Sequence, residues 1–143
     1  SESITFTCLA DWSINSNPNI KYYSGTASYS KQIVLDSLDF GNSNIYLSLG
    51  EIYNIAEVVV NDKSCGVTWT SPYIVDITDA IKIGDNNIII HVSNTWRNRI
   101  IGDNLYFKNN KVTWTTAPFL IKDKPLLKSG LMGPVEILRT ENY

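Results

Sequence analysis

The sequence predicts an all-β chain folded as one antiparallel β-sandwich with jelly-roll topology. Three observations predict it. Ile, Val and Thr together number 38 of 143 residues, whereas Ala, the best helix former, occurs five times. β-branched side chains suit a pleated sheet and lose rotamer freedom in a helix. Fifteen Asn residues punctuate the chain, and Asn tolerates the positive φ of tight turns. The segments between turns are short and apolar or alternating, with no long helical period.

The first strand is expected at Gly25 to Leu35, with Ala27, Tyr29, Lys31, Ile33 and Leu35 on one face. Asn44 to Leu49 alternates, turning Ile45, Leu47 and Leu49 inward. Ala56 to Asn61 follows, and the turn at Asn61-Asp62-Lys63 predicts a hairpin into Cys65 to Trp69. Tyr73 to Ile77 is a further strand, and Thr78 to Lys82 reads as a single helical turn capped by Thr78. Asn87 to Asn94 is the strongest strand, with Ile88, Ile90 and Val92 on one face and Ile89, His91 and Ser93 on the other. Val112 to Thr116 and Val135 to Leu138 complete the set, with Ile4 to Leu9 as one more. No repeat, charge block or low-complexity linker divides residues 1–143, so one domain is expected.

At 16.1 kDa with 43% hydrophobic and 18% charged residues, the chain can bury a core and is not disordered. A net charge of -2 argues against nucleic-acid binding through a basic stripe. No apolar run approaches the ~20 residues of a membrane-spanning helix. Cys8 and Cys65 lack CxxC spacing and read as two small buried hydrophobes, with a disulfide left open. The chain opens at Ser1 with neither initiator Met nor leader, as a segment of a longer polypeptide would.

Catalytic signals are weak. His91 is the single histidine, it stands mid-strand, and there is no GxSxG or HExxH. Glu51, Glu57, Asp76, Asp103 and Glu136 are the carboxylates from which a glycosidase pair would be drawn. Glu57 and Glu136 interrupt apolar strands and are expected opposite the core. Asp76, Asp79, Asp85 and Asp103 are the donors a structural calcium ion would take. No EF-hand spacing joins them, so no cofactor or metal is expected and calcium is the weaker alternative.

The aromatic residues carry more. Sugar rings stack on Trp or Tyr while neighbouring amides, carboxylates and guanidinium groups bind the hydroxyls. Trp69-Thr70-Ser71-Pro72-Tyr73 and Thr95-Trp96-Arg97-Asn98-Arg99 put that mixture at strand ends. Trp69, Tyr73, Trp96, Arg97, Asn98 and Asp103 are therefore the candidate carbohydrate ligands. In the segment Trp96 to Asp103 two arginines, an asparagine and an aspartate are costly to bury unless paired. The favoured reading of that loop is an internal ion-pair and hydrogen-bond knot that also offers a docking surface.

An ordered set of motifs then carries a resemblance. It runs from Tyr23-Ser24-Gly25-Thr26-Ala27 through Leu49-Gly50-Glu51, Ala56-Glu57-Val58-Val59-Val60-Asn61 and Gly66-Val67-Thr68-Trp69. It continues with Asn94-Thr95-Trp96-Arg97-Asn98-Arg99-Ile100-Ile101-Gly102-Asp103 and closes with Gly130-Leu131-Met132-Gly133-Pro134-Val135. Together these resemble the galactose-binding-like β-sandwich accessory domain of bacterial glycoside hydrolases. The family 2 sugar-binding domain has the general pattern, and the C-terminal region of family 106-type α-L-rhamnosidases is more similar still.

The resemblance implies a non-catalytic, carbohydrate-associated domain of a secreted or periplasmic parent glycosidase, with carbohydrate or the parent's catalytic domain as partner. It carries over no catalytic residue. Two alternatives stand beside sugar binding: a purely structural interdomain brace, and a small stand-alone glycosidase.

Overall fold

The computed structural model describes residues 7–36, 43–117 and 124–140. Their nine strands are β1 (Thr26–Leu35), β2 (Asn44–Ser48), β3 (Glu51–Tyr53), β4 (Ile55–Val60), β5 (Lys63–Thr68), β6 (Ile74–Asp76), β7 (Gly84–Ser93), β8 (Gly130–Gly133) and β9 (Glu136–Thr140). They are joined by a 3-10 turn at Trp12–Ile14 and two helices, α1 (Pro18–Lys21) and α2 (Arg97–Leu105). One sheet runs β1-β7-β4-β5, a second runs β6-β2-β9, and β3 and β8 form a separate pair. Every strand pairing is antiparallel. The all-β sandwich predicted from composition is the observed architecture.

Alternation fixes the core. Ile45, Leu47 and Leu49 of β2 and its exit are buried against Ala56, Val58 and Val60 of β4 and Ile88, Ile90 and Val92 of β7. Each fully buried aliphatic side chain contributes about 1.5–3 kcal/mol. The hairpin between β4 and β5 turns at Asn61 and Asp62, both at positive φ (50° and 64°), as a tight two-residue turn requires. Trp12 closes one margin of the core. Its Nε1 donates to the Tyr29 hydroxyl at 2.6 Å, and its ring lies where a Cβ on Gly130 would stand, at 2.4 Å.

The structure corrects several expectations. The segment 96–103, read as a loop, is the N-cap and most of α2. Val112 to Thr116 is not a strand, because Asp103 takes the backbone N–H groups of Val112 and Thr113. Residues 7–9 are not extended in a sheet; residues 4–6 lie outside the described residues. Two strands, β3 and β8, were not foreseen. The turn after β6 is present at residues 78–80, but Thr78 does not cap it. The Thr78 hydroxyl is shared between the Ile45 backbone and Asp76. Neither cysteine is fully buried: Cys8 is exposed, Cys65 is half-buried, and both are free thiols.

Candidate functional site

Helix α2 lies just beyond the end of β7 and organises the polar segment singled out in the sequence. Its N-cap, Trp96, makes no side-chain capping bond, so the helix depends on tertiary anchors rather than local capping. Its inward face is Asn98, Ile101, Gly102 and Asp103. Gly102 is required there, since a Cβ would meet the Tyr22 ring at 2.4 Å.

Asp103 is completely buried. One oxygen pairs with Arg99 Nε at 2.9 Å, one turn back along the helix. The other accepts from the N–H groups of Val112 (2.9 Å) and Thr113 (2.7 Å) and from the Thr113 hydroxyl (2.8 Å). Burial disfavours the charge, but the Thr113 and Val112 donors and the Arg99 guanidinium outweigh it, so the carboxyl is held below the usual aspartate range. Arg99 also lies 4.7 Å from the centre of the Phe107 ring.

Asn98 is equally committed. Its Nδ2 donates to the Leu127 carbonyl at 2.6 Å and its Oδ1 accepts the Leu127 N–H at 2.8 Å, which fastens residue 127 as a strand partner would. Nδ2 also reaches Ser129 Oγ at 3.2 Å. Asn94 Nδ2 contacts the same hydroxyl at 3.1 Å, and Asp11 Oδ1 accepts the Ser129 N–H at 3.1 Å. Arg97 donates to the Pro125 carbonyl at 3.2 Å. The expected knot is thus present and joins the chain near residues 11, 98, 112 and 127–129. Asn94, Thr113, Ser129 and Asp11 belong to it and were missed. The i, i+4 spacing of Arg99 and Asp103 was the signal available for the pairing.

The six candidate carbohydrate ligands separate. Asn98 and Asp103 point into the fold, and Arg97 is half-buried against Pro125. Tyr73 is half-buried and packs against the core, its carbonyl accepting the Leu49 N–H at 2.9 Å. Trp69 and Trp96 remain outside, 69% and 71% exposed. They stand at the same end of the four-stranded sheet. Trp69 directly follows Thr68, which pairs with Ala56, and Trp96 lies three residues past Ser93, which pairs with Ile55. Near that end Lys128 faces Glu51 at 3.7 Å and lies 5.6 Å from the Tyr53 ring centre. Tyr53 donates to Glu51, and this bond raises the Tyr53 pKa; the Glu51 charge raises that of Lys128.

The remaining carboxylates are dispersed. Glu57 and Glu136 lie in different sheets. Asp76 accepts from Thr78 and Asp79 pairs with Lys63 at 3.8 Å. Among the described residues, no three of His, Cys, Asp and Glu form a group that could hold a metal ion. A depression of about 340 Å³ lined by Asn44, Lys63, Cys65, Asp76 and Thr78 lies by the β4–β5 hairpin turn, at the other end of β5 from Trp69. Burial raises the Cys65 pKa. No helix among the described residues is long and apolar enough to cross a membrane.

With this geometry in hand, the likenesses to known proteins are specific. A model of the glycosyl hydrolase 2 galactose-binding domain-like family matches residues 11–117. The chain belongs to that family. A curated relative from Formosa agariphila, provisionally named a beta-glucuronidase, is 35% identical over 94% of this chain and 14% of its own length. A rhamnosidase structure from Novosphingobium sp. PP1Y superposes with a TM-score of 0.83 at 37% identity, over 91% of this chain and 12% of that one. A Ruminococcus gnavus beta-glucuronidase, at 20% identity and TM-score 0.53 over 62% of this chain and 15% of its own, shares the fold. The galactose-binding-like domain therefore spans about one-seventh of the length of these relatives. The family match includes α2 and the Asp103–Thr113 clamp, whereas the Leu127–Ser129 side of the knot lies beyond it.

Proposed function

We propose that this galactose-binding-like domain is a non-catalytic accessory part of a larger glycoside hydrolase, acting as a rigid brace between neighbouring parts of its parent. The observation that carries the reading is the fate of the polar cluster. Asn98 and Asp103 hold residues 112–113 and 127 in place and have no face turned to solvent. Arg97 Nε, Arg99 Nε and Asp103 Oδ1 are buried without a hydrogen bond, the last two meeting as an ion pair at 2.9 Å, so the rigidity rests on the paired Asn98 amide and the second Asp103 oxygen. The names of the relatives, a rhamnosidase and a provisional beta-glucuronidase, support a parent that cleaves rhamnosidic or glucuronidic bonds, with a secreted or periplasmic location. The test is to remove the domain from the parent and add it back in trans. Heat inactivation should come earlier without the domain and be corrected by adding it. A parent equally stable without it would refute the brace.

Carbohydrate contact is the second reading, favoured by the exposure of Trp69 and Trp96 at one end of one sheet. Affinity would be millimolar to micromolar, roughly 4–8 kcal/mol. Calorimetric titration of the chain with rhamnose- and glucuronate-bearing oligosaccharides tests it. Binding abolished in Trp69→Ala and Trp96→Ala supports this reading, and no heat with any of them refutes it.

A further inference from the structure

We infer that the outward patch formed by Trp69, Ile55 and Val67 is a protein-docking surface, and that its occupant is another domain of the longer polypeptide that carries this one. The inference rests on the accessory-domain reading and adds to it the surface and the class of partner.

Strand register sets the patch. Ala56 pairs with Thr68 and Glu57 with Val67, so one further antiparallel step brings Ile55 beside Trp69. Ala56 and Thr68 are buried; Ile55, Val67 and Trp69 therefore share the opposite, outward face. Ile55 and Val67 are exposed, as is Trp69. Trp96, also exposed, stands at the same end, beyond the Ser93 that pairs with Ile55.

Composition argues for protein rather than sugar. The outward positions of β1, β4 and β7 carry no lysine or arginine, and Glu57 is engaged by the Ser64 hydroxyl at 2.9 Å. An exposed tryptophan with aliphatic neighbours and no cation on its face has the composition of an interface core, although the carboxylate of Glu57 stands opposite Val67 within the patch. A saccharide platform would surround the ring with hydrogen-bonding side chains, whereas the register neighbours of Trp69 are Ile55 and Val67.

The occupant follows from length. The domain spans 14% of the Formosa relative and 12% of the rhamnosidase chain, so most of each of those polypeptides lies outside the matched part and can supply the partner surface. Interfaces between domains of one chain cover about 600–1,500 Å² and are of mixed polarity, which suits a patch bordered by serine and threonine.

Hydroxyl-radical footprinting tests this by comparing the isolated 143-residue chain with the full-length polypeptide. Trp69 should oxidise several-fold more slowly in the full-length protein, with Lys63 and Asp79 at the other end of β5 unchanged as a control. Val67→Glu in the full-length protein should return Trp69 to the rate of the isolated chain. Equal oxidation of Trp69 in both proteins overturns the inference. So does protection that appears only with added oligosaccharide, or protection in the isolated chain that grows with its concentration. If the domain stabilises its parent while Trp69 stays reactive, only this inference falls. If it neither stabilises nor is protected, the brace falls with it.

Discussion

Asp103 and Arg99 form an ion pair at 2.9 Å across one turn of α2, with the carboxylate wholly removed from solvent. A buried ion pair gains little over a well-packed apolar pair, but losing one partner strands a charge. Asp103→Ala should therefore destabilise the chain by about 3–5 kcal/mol, measured by urea unfolding at pH 7.

The same carboxylate predicts an acid limb. Its folded pKa lies below the unfolded value of about 3.9. Its contribution is thus fully present above that value and is lost as pH falls through the lower folded pKa. Unfolding midpoints between pH 7 and pH 2.5 should fall more steeply below pH 4 in the wild type than in Asp103→Asn. Parallel curves would place the acid sensitivity elsewhere.

Asn98→Ala should expose a different weakness. Both Leu127 backbone groups would lose their partner; Leu127 is itself exposed, so water takes over part of the bonding and the loss is that of ordinary hydrogen bonds, about 0.5–1.5 kcal/mol each. Amide exchange at Leu127 should accelerate before any change in the β2–β4–β7 core.

These polar anchors also mark the limit of what the sequence discloses. Period-two alternation made β2 and β7 legible because one face of each is aliphatic and buried. Helix α2 was hidden because half of its inward face, Asn98 and Asp103, is polar; an apolar-only pattern cannot see a stripe whose members are paired rather than greasy. Val112 to Thr116 alternates like a strand, yet Val112 is exposed and its backbone N–H goes to a carboxylate. Strands β3 and β8 have three and four residues, too short for a periodic signal, and exist through their mutual pairing. Of the site, the knot was readable as a concentration of mutually compensating groups. Its distant partners Asp11 and Ser129 were not, since nothing local distinguishes them from other turn residues.

Gly102→Ala tests close packing against helix propensity. Alanine improves an exposed helix position by about 1 kcal/mol, but here the added methyl meets the Tyr22 ring. A net loss of about 1–3 kcal/mol is expected, recovered in part by Gly102→Ala with Tyr22→Ala. A stabilised single variant would show that the contact gives way freely.

Three of the four tryptophans should divide by burial. Trp12→Ala should cost about 3–5 kcal/mol, as truncation of a buried aromatic does, because Trp12 is 4% exposed. Trp69→Ala and Trp96→Ala should change the stability of the isolated chain by less than about 0.5 kcal/mol. Thermal unfolding of the three variants side by side checks both expectations.

On the brace reading, the polar cluster of α2 supports structure and performs no chemistry. The most direct measurement is kcat of the glycoside hydrolase proposed as the parent, carrying Asp103→Asn, taken at a temperature where variant and wild type are both folded. A purely structural cluster leaves kcat unchanged and brings heat inactivation earlier. A collapse of kcat with undiminished thermal stability would contradict that reading.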